Sequence, residues 1–292
     1  MIRKMELIRP IKQRVWGWPA VFNFVMVGTA TGFYLLNFLI AILQEGSLGV
    51  SEPVSSQILS PVLVCIGFSA LTLESGRPKG AHHLFRHIPG SWMSIETLAA
   101  SIFVPAAIMD WLFPHPIVRG LAATAALGLM FSQGCIVYSA KAMTAWNVWL
   151  MPLLFLISGF AKGSGLLLLL TTEKLSLAAT PIKIALICAL LNLSVWLLYL
   201  YRSNDSAFLE ATKPMRRSSS LVRTLVVGHL LPILPLSFLL GVGGNGESGF
   251  QHIAIDLSGL ALIASGVSQM FSLIIRVGYD RGIKIGEVKT NI

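Results

Sequence analysis

Apolar runs of membrane-spanning length recur along most of this chain, and they restrict its fold more than any other feature. A helix needs about 20 mostly apolar residues to cross a bilayer, and lipid offers no partner for exposed backbone polar groups. The runs cover approximately residues 18–43, 57–73, 92–113, 117–142, 147–170, 181–201, 225–242 and 253–277. The sequence therefore predicts an all-α polytopic membrane protein with about eight transmembrane helices in two four-helix bundles.

The composition excludes a water-soluble domain of this size. Hydrophobic residues make up 54% of the 292 positions and charged residues only 12%. The net charge of +9 would suggest nucleic acid in a soluble protein. In a membrane protein, the positions of the charges matter more than their sum, so we expect the lipid bilayer as partner and no nucleic acid. The basic leader precedes an apolar run of spanning length without a small-residue cleavage site, so no cleavable signal peptide is predicted.

The distribution of basic residues predicts the orientation. With eight spans, both termini lie on one side of the membrane, here called the terminus-side face. Eighteen of the 22 Lys and Arg residues fall on that side and four on the other. By the positive-inside rule, the termini and the basic loops are cytoplasmic, in a bacterial or archaeal inner membrane. Alternatively, the basic face docks a partner subunit, and a complex exported with that partner has the opposite orientation.

The loop between the second and third spans is the most polar stretch in the first half of the chain. Glu74 and Glu96 flank it, and it carries Arg77, Lys79 and Arg86. In one interpretation, the carboxylates pair with these cations and hold the loop in place. In the other, one of them relays a proton for a redox ligand, because a carboxyl group at the edge of an apolar pocket suits that task. Both interpretations stay open at this point.

A second set of polar residues predicts a binding niche at the same depth. Gly134 and Tyr138 are one helical turn apart on the fourth span, so they share a face. A phenol beside a missing side chain would form a slot for a flat ring that carries carbonyl oxygens. Asn23, near the start of the first span, lies at the same face and could hydrogen-bond the same head group. The alternative for Tyr138 is an interfacial tyrosine without a ligand.

Lys162 lies inside the fifth span, about two turns from the face opposite the termini. A charge at this depth is costly, so the residue is a functional candidate by default. Two structural alternatives are weighed against that: the side chain snorkels outward, or it pairs with Asp110 across the bundle.

Haem and metal ligation are not expected. Membrane haems need histidines deep in facing helices, whereas only His229 lies within a span, near its start, where a hydrogen-bonded structural role is expected. The cysteines show no metal-ligand spacing and are expected to be small buried helix residues; they are Cys65, Cys135 and Cys188.

Several motifs occur in the order and spacing of a known family. Gly76-Arg77-Pro78 followed by Ser91-Trp92-Met93-Ser94-Ile95-Glu96 resembles a "GRP … SW-x-S-x-E" signature. Tyr138 followed by Trp146-Asn147 resembles the link between the fourth and fifth spans of the same family. These motifs are typical of the membrane anchors of molybdopterin oxidoreductases, both the dimethyl-sulfoxide-reductase anchor (DmsC-like) and the polysulfide-reductase membrane subunit (NrfD/PsrC-like). Two departures are Glu74-Ser75 before the glycine and Ala145 before Trp146.

The resemblance implies a quinone-reactive anchor without haem. Residues 1–143 would form a four-helix bundle with the quinone pocket and residues 144–292 a second bundle with the C-terminal tail. The quinone, menaquinone or ubiquinone, would contact Asn23, Gly134, Tyr138 and Arg77, with Glu74 or Glu96 as proton relay. The implied partners are a ferredoxin-like iron–sulfur subunit and a molybdopterin catalytic subunit that binds the terminal substrate.

Two other functions compete with this one. Buried charges at Lys162, Asp110 and Glu96 could serve a proton-coupled secondary transporter or permease. Transporters often show two related halves and broken helices, and neither is visible in this sequence. A purely structural tether that binds no quinone is the third alternative.

Overall fold

The fold is described from a computed structural model. It describes residues 5–8, 11–13, 16–45, 58–74, 90–171, 179–202, 205–241, 249–279 and 283–285. Arg77 and most of the polar loop around it lie outside these residues. Glu74 is the last residue of a helix, and the position of its side chain is likewise not described.

Helices dominate the described part of the chain. The long ones are α1 (Trp18–Glu45), α2 (Leu59–Glu74), α3 (Trp92–Leu112), α4 (Pro116–Tyr138), α5 (Met151–Thr171), α6 (Ala179–Tyr201) and α10 (Gly249–Phe271). The shorter ones are α7 (Ser206–Arg216), α8 (Ser218–Leu225) and α9 (Leu231–Gly241). Two π-helical turns, Val226–Leu230 and Ser272–Arg276, connect α8 to α9 and extend α10. Two strands, β1 (Met5–Ile8) and β2 (Ile283–Ile285), pair antiparallel.

The predicted all-helical polytopic membrane fold is confirmed. Within the described ranges, six helices are long and apolar enough to cross a membrane. Two shorter apolar helices, Leu59–Thr72 and Gly228–Gly241, occupy the positions predicted for the second and seventh spans. The observed helix bounds differ from the predicted spans by a few residues, because hydropathy marks the apolar segment and not the last hydrogen-bonded turn.

Small residues allow α1 and α5 to approach closely. A Cβ atom at Gly32 would collide with the backbone of Gly159, and one at Gly163 would meet the backbone of Gly32 and Phe33. Glycines in the first span therefore serve close packing between helices. Helix α1 also packs on α2 and α4, while α5 packs on α4, α6 and α10. The division into two domains at residue 143 stays a prediction.

The terminus-side face brings both ends of the chain together with the link between α4 and α5. The backbone N–H of Gln13 donates to the Gly278 carbonyl at 2.9 Å. The ring of Trp16 stacks on Trp146 at a centroid distance of 5.1 Å. The indole N–H of Trp146 donates to the Leu273 carbonyl at 2.7 Å. Trp146 is 3% exposed, so this residue of the family-like link fastens the α4–α5 connection to the C-terminal helix.

The basic segment after α6, which follows the sixth predicted span, forms helices α7 and α8. Phe208, Thr212 and Met215 are buried at helical spacing on one side of α7, whereas Lys213 and Arg217 are exposed. A helix with one apolar and one basic side is the form expected of a segment that lies along a membrane surface. A search for apolar runs misses such a helix, because charged residues interrupt its apolar ones along the chain.

Candidate functional site

The buried polar cluster of the first four helices consists of Asn23 on α1, Glu96 on α3 and Gln133 on α4. Their side chains are 0%, 3% and 1% exposed, respectively. The Gln133 amide N–H donates to Glu96 Oε1 at 3.0 Å. Asn23 also lies beside the Glu96 carboxyl group, without the geometry of a regular hydrogen bond to it. Three helices that are distant in sequence therefore place a carboxyl and two amide groups in one apolar environment.

The depth of this cluster follows from the helix ends. Each of the three positions lies four or five residues from the terminus-side end of its helix. At a rise of 1.5 Å per residue, this is about 6–8 Å inside the helix ends. The predicted placement of Asn23 and Glu96 near the terminus-side face agrees with this geometry. Their cluster therefore lies close to the face on which the basic residues are concentrated.

Asn23 has unused hydrogen-bonding capacity. Both its Nδ2 and its Oδ1 are buried, and neither hydrogen-bonds to any residue in the described ranges. Gly67 on α2 faces it, and a Cβ atom there would lie 3.1 Å from Asn23 Oδ1. Buried polar groups without partners cost about 1–3 kcal/mol each and are rare in folded proteins. An unpaired amide of this kind fits a ligand that carries a carbonyl oxygen.

An apolar groove runs beside the cluster on the membrane-facing surface. It has a volume of about 490 Å³ and lies between α1, α2 and α3. Its lining includes Phe22, which precedes Asn23, and Ile66, which precedes Gly67. Cys65 also lines it and is exposed, which corrects the expectation that all three cysteines are buried. A groove of this composition suits a lipid-soluble molecule with an apolar chain.

Gly134 does not form the predicted slot. The space that a side chain would take at this position is filled by Pro152 and by the Met151 carbonyl, which would lie 2.9 Å from the added Cβ. Gly134 instead lets α4 contact the start of α5. Tyr138 is the last residue of α4 and is 39% exposed, without a side-chain hydrogen bond to any residue the structure describes. Helix packing therefore takes up the space predicted for the ring at Gly134, while ring binding by Tyr138 stays a prediction.

A second buried polar cluster lies near the opposite face. Arg119 Nε is 3.2 Å from Asp110 Oδ1. The Tyr34 hydroxyl donates to Asp110 Oδ2 at 2.8 Å. The three residues are at most 4% exposed. They connect α1, α3 and α4 at the end of the α3–α4 hairpin, so Asp110 has partners and is not available to Lys162.

Both structural alternatives for Lys162 are wrong. The side chain is 1% exposed and does not snorkel. Its Nζ donates to Ser158 Oγ at 3.1 Å, one turn away on α5. Its side chain lies against Gly28 on α1 and Gly266 on α10. An added Cβ at Gly266 would collide with Cγ and Cδ of Lys162, and one at Gly28 would lie 3.1 Å from its Cε. Sequence reasoning missed this arrangement because the two glycines come from helices far apart in the chain.

His229 belongs to a buried network in the second half of the chain. Its Nδ1 lies 2.9 Å from the Thr224 carbonyl, and its Nε2 lies 3.1 Å from the Gln269 side-chain nitrogen. The π-helical turn at Val226–Leu230 places Thr224 five residues before the ring. The expected hydrogen-bonded structural role of His229 is therefore confirmed.

The comparison with known families agrees with the motifs in the first half of the chain. Residues 7–130 match the family model described as "Polysulphide reductase, NrfD". The match covers less than half of the 292 residues and includes Asn23 and Glu96. It confirms the resemblance to the NrfD/PsrC-related anchors over this segment and supports a role as a membrane anchor. No curated protein matches the chain.

Proposed function

We propose that this NrfD-like chain is the quinone-reactive membrane anchor of a molybdopterin (Mo/W) oxidoreductase complex. It would pass electrons between the membrane quinone pool and a ferredoxin-like iron–sulfur subunit docked on the basic terminus-side face. That subunit would exchange them with the catalytic subunit. The chain itself would not act on the terminal substrate.

The observation that carries the proposal is the unpaired amide of Asn23 beside the buried carboxyl group of Glu96. Quinone reduction consumes two electrons and two protons, so its site needs a donor to a carbonyl oxygen and a group that transfers protons. The Asn23 amide offers an N–H that makes no regular hydrogen bond in the described part of the chain, and the Glu96 carboxyl beside it offers a proton-transfer group. Gln133 fixes the orientation of that carboxyl through its 3.0 Å hydrogen bond.

The groove offers the route by which the ligand enters. Because it faces the membrane and is lined mainly by apolar residues, it suits the isoprenoid chain of a quinone. The ring would then move past Phe22 and Gly67 toward Asn23. Desolvation at this site strengthens each hydrogen bond to the ring oxygens.

A role for Tyr138 in ring binding stays a hypothesis. Tyr138 ends α4 on the terminus-side face and is 39% exposed. In the proposal, Tyr138 holds the second ring oxygen, and Arg77 pairs with a carboxylate of the loop or meets the partner subunit. Glu74 is the second candidate for proton relay.

The experiment that tests the proposal uses Tyr138→Phe with Arg77 intact. This change removes only the hydroxyl, so the fold is expected to persist while quinol-coupled turnover is lost. Turnover of the same complex with an artificial dye is expected to stay unchanged, because the dye reacts at the soluble subunits. Quinol-coupled turnover at the wild-type rate would show that Tyr138 does not hold the ring.

The partner assignment has its own measurement. Affinity purification through a tag on this chain should recover an iron–sulfur protein and a large molybdopterin protein, together with extractable quinone. Recovery of those proteins without quinone would favour a purely structural tether. Recovery of the chain alone, with transport activity in vesicles, would favour the permease.

A further inference from the structure

A polar pocket lies on the terminus-side face, away from the Asn23–Glu96 cluster. It has a volume of about 150 Å³ and is formed where the α4–α5 link meets the corner between α6 and α7. Lys141, Thr144 and Asn147 line it from the link, and Arg202 and Asp205 line it from the corner. Two cations, one carboxylate, a hydroxyl and an amide therefore surround one small cavity, whose ionisable lining carries a net charge of +1.

The pocket has a fixed frame. The Tyr199 hydroxyl donates to the Ala145 carbonyl at 2.9 Å, which ties the link to α6. Val148 and Phe208 form apolar parts of the lining and are 2% and 3% exposed. The backbone of both walls is therefore held by buried residues, while the side chains of Lys141 and Arg202 are exposed at the mouth of the pocket.

The chemistry of the lining fits a phosphate group. Lys and Arg bind phosphate oxygens as charge-assisted donors, and hydroxyl and amide groups add neutral hydrogen bonds. The N-terminus of the 11-residue helix α7 also begins at the pocket, with the Asp205 carboxylate accepting from the Ala207 N–H at 3.1 Å. Asp205 is thus the anion that caps α7, and the attraction of the pocket for a phosphate comes from Lys141 and Arg202.

The surroundings identify the source of that phosphate as a lipid. Trp149 and Tyr201 adjoin the pocket residues in sequence and are 65% and 64% exposed. Exposed Trp and Tyr side chains mark the headgroup level of a bilayer. One turn deeper, Leu153 on α5 and Leu198 on α6 are exposed and offer an apolar surface for acyl chains.

We propose that this pocket binds the phosphate headgroup of an anionic phospholipid at the junction of the two halves of the chain. Lys141 and Arg202 contact the phosphate oxygens, and the acyl chains extend along α5 and α6 into the membrane. The proposal is independent of the quinone function, because none of its residues belongs to the Asn23–Glu96 cluster or to the groove.

The test titrates the delipidated full-length chain with phospholipids and counts bound lipids by native mass spectrometry. Dioleoylphosphatidylglycerol is expected to bind in a one-to-one complex, and dioleoylphosphatidylcholine at least tenfold more weakly. The double variant Lys141→Gln/Arg202→Gln is expected to bind phosphatidylglycerol about thirtyfold more weakly, because each cation near a lipid surface contributes a factor of about five. Each single variant should lose about fivefold, which keeps the test valid if the double variant fails to fold.

The matched control is Lys213→Gln/Arg217→Gln. It removes the same charge from exposed positions on the same face, outside the pocket. Affinity within twofold of the wild type supports a specific site. An equal loss in both double variants, or equal binding of the two lipids, would overturn the proposal in favour of diffuse attraction. Displacement of the lipid by inorganic phosphate alone would assign the pocket to a soluble anion and would also overturn it.

Discussion

Replacing Asn23 by leucine separates the functional and structural roles of the buried cluster. Leucine has the same branching as asparagine but no polar atoms. Asn23 Nδ2 and Oδ1 are buried without a hydrogen-bond partner in the described part of the chain, so the wild-type protein carries their desolvation cost. That cost is about 1–3 kcal/mol for an unsatisfied buried group. We therefore expect Asn23→Leu to stabilise the protein while abolishing quinol-coupled turnover.

The size of the expected stabilisation determines how precisely the Tm of Asn23→Leu must be measured. A stabilisation of 1 kcal/mol raises the Tm by about 2–4 °C for a domain of 150–250 residues. Gly67 lies close to Asn23 Oδ1, so the larger leucine introduces some crowding that reduces the gain. A rise of about 2–5 °C in the apparent Tm, read by size-exclusion chromatography of heated detergent samples, is the expected result.

Asn37→Leu is the matched control on the same helix. The Asn37 side-chain N–H donates to the Phe33 carbonyl at 2.9 Å, so its amide is already paired. This variant is expected to lower the Tm slightly or leave it unchanged, and to keep quinol-coupled turnover. If Asn23→Leu lowers the Tm as much as a normal loss of a buried hydrogen bond, then Asn23 has a structural partner. The argument for a ligand-binding amide would then fail.

Two further perturbations probe the groove and the opposite cluster. Cys65→Trp fills the groove and should raise the KM for quinol severalfold with unchanged dye-coupled turnover. The control Ile187→Trp, an equally membrane-facing change on α6, should leave the KM and the dye-coupled turnover unaltered. An unchanged KM in Cys65→Trp would exclude the groove as the entry route. Asp110→Asn removes the carboxylate charge that pairs with the buried Arg119 and weakens the Tyr34 hydrogen bond. We expect the free energy of unfolding to fall by about 3–5 kcal/mol, seen as a large fall in apparent Tm. Quinol-coupled turnover of the complex that remains folded should persist. Loss of that turnover would place Asp110 in the quinone reaction.

Much of the fold and part of the site could be predicted from the sequence, for a physical reason. Hydropathy marks every long span because the bilayer imposes length and composition on each helix separately. Glu96 and Asn23 were found because a polar group at membrane depth is costly wherever it lies. The hydrogen-bond partner of Glu96 is Gln133. Which residue becomes that partner depends on the register of α3 against α4, and no local sequence pattern encodes this register.

The same limit explains the errors. Gly134 resembles a binding slot in sequence, but whether a missing side chain admits a ligand or another helix depends on what lies opposite, here Pro152. Lys162 resembles a free charge until α1 and α10 supply the glycines that cover its aliphatic part. Interactions between distant segments decide both cases, as they do for the β1–β2 pair that joins residues near the two ends of the chain.

The arrangement of the two polar clusters in the first four helices bears on how protons move. Glu96 and Asp110 are 14 residues apart on α3, a distance of about 21 Å along the helix. Between these depths, Phe103 on α3 is apolar and fully buried, whereas Thr29 and Thr31 on α1 are buried polar residues whose hydroxyls donate to backbone carbonyls of their own helix. Because these hydroxyls are bonded within α1, they do not by themselves form a chain of proton donors from Glu96 to Asp110. Under the proposed function, the protons of the quinone reaction therefore enter and leave by the shorter path through the terminus-side face, about 6–8 Å from the cluster, and Asp110 with its partners joins the helices at the other end.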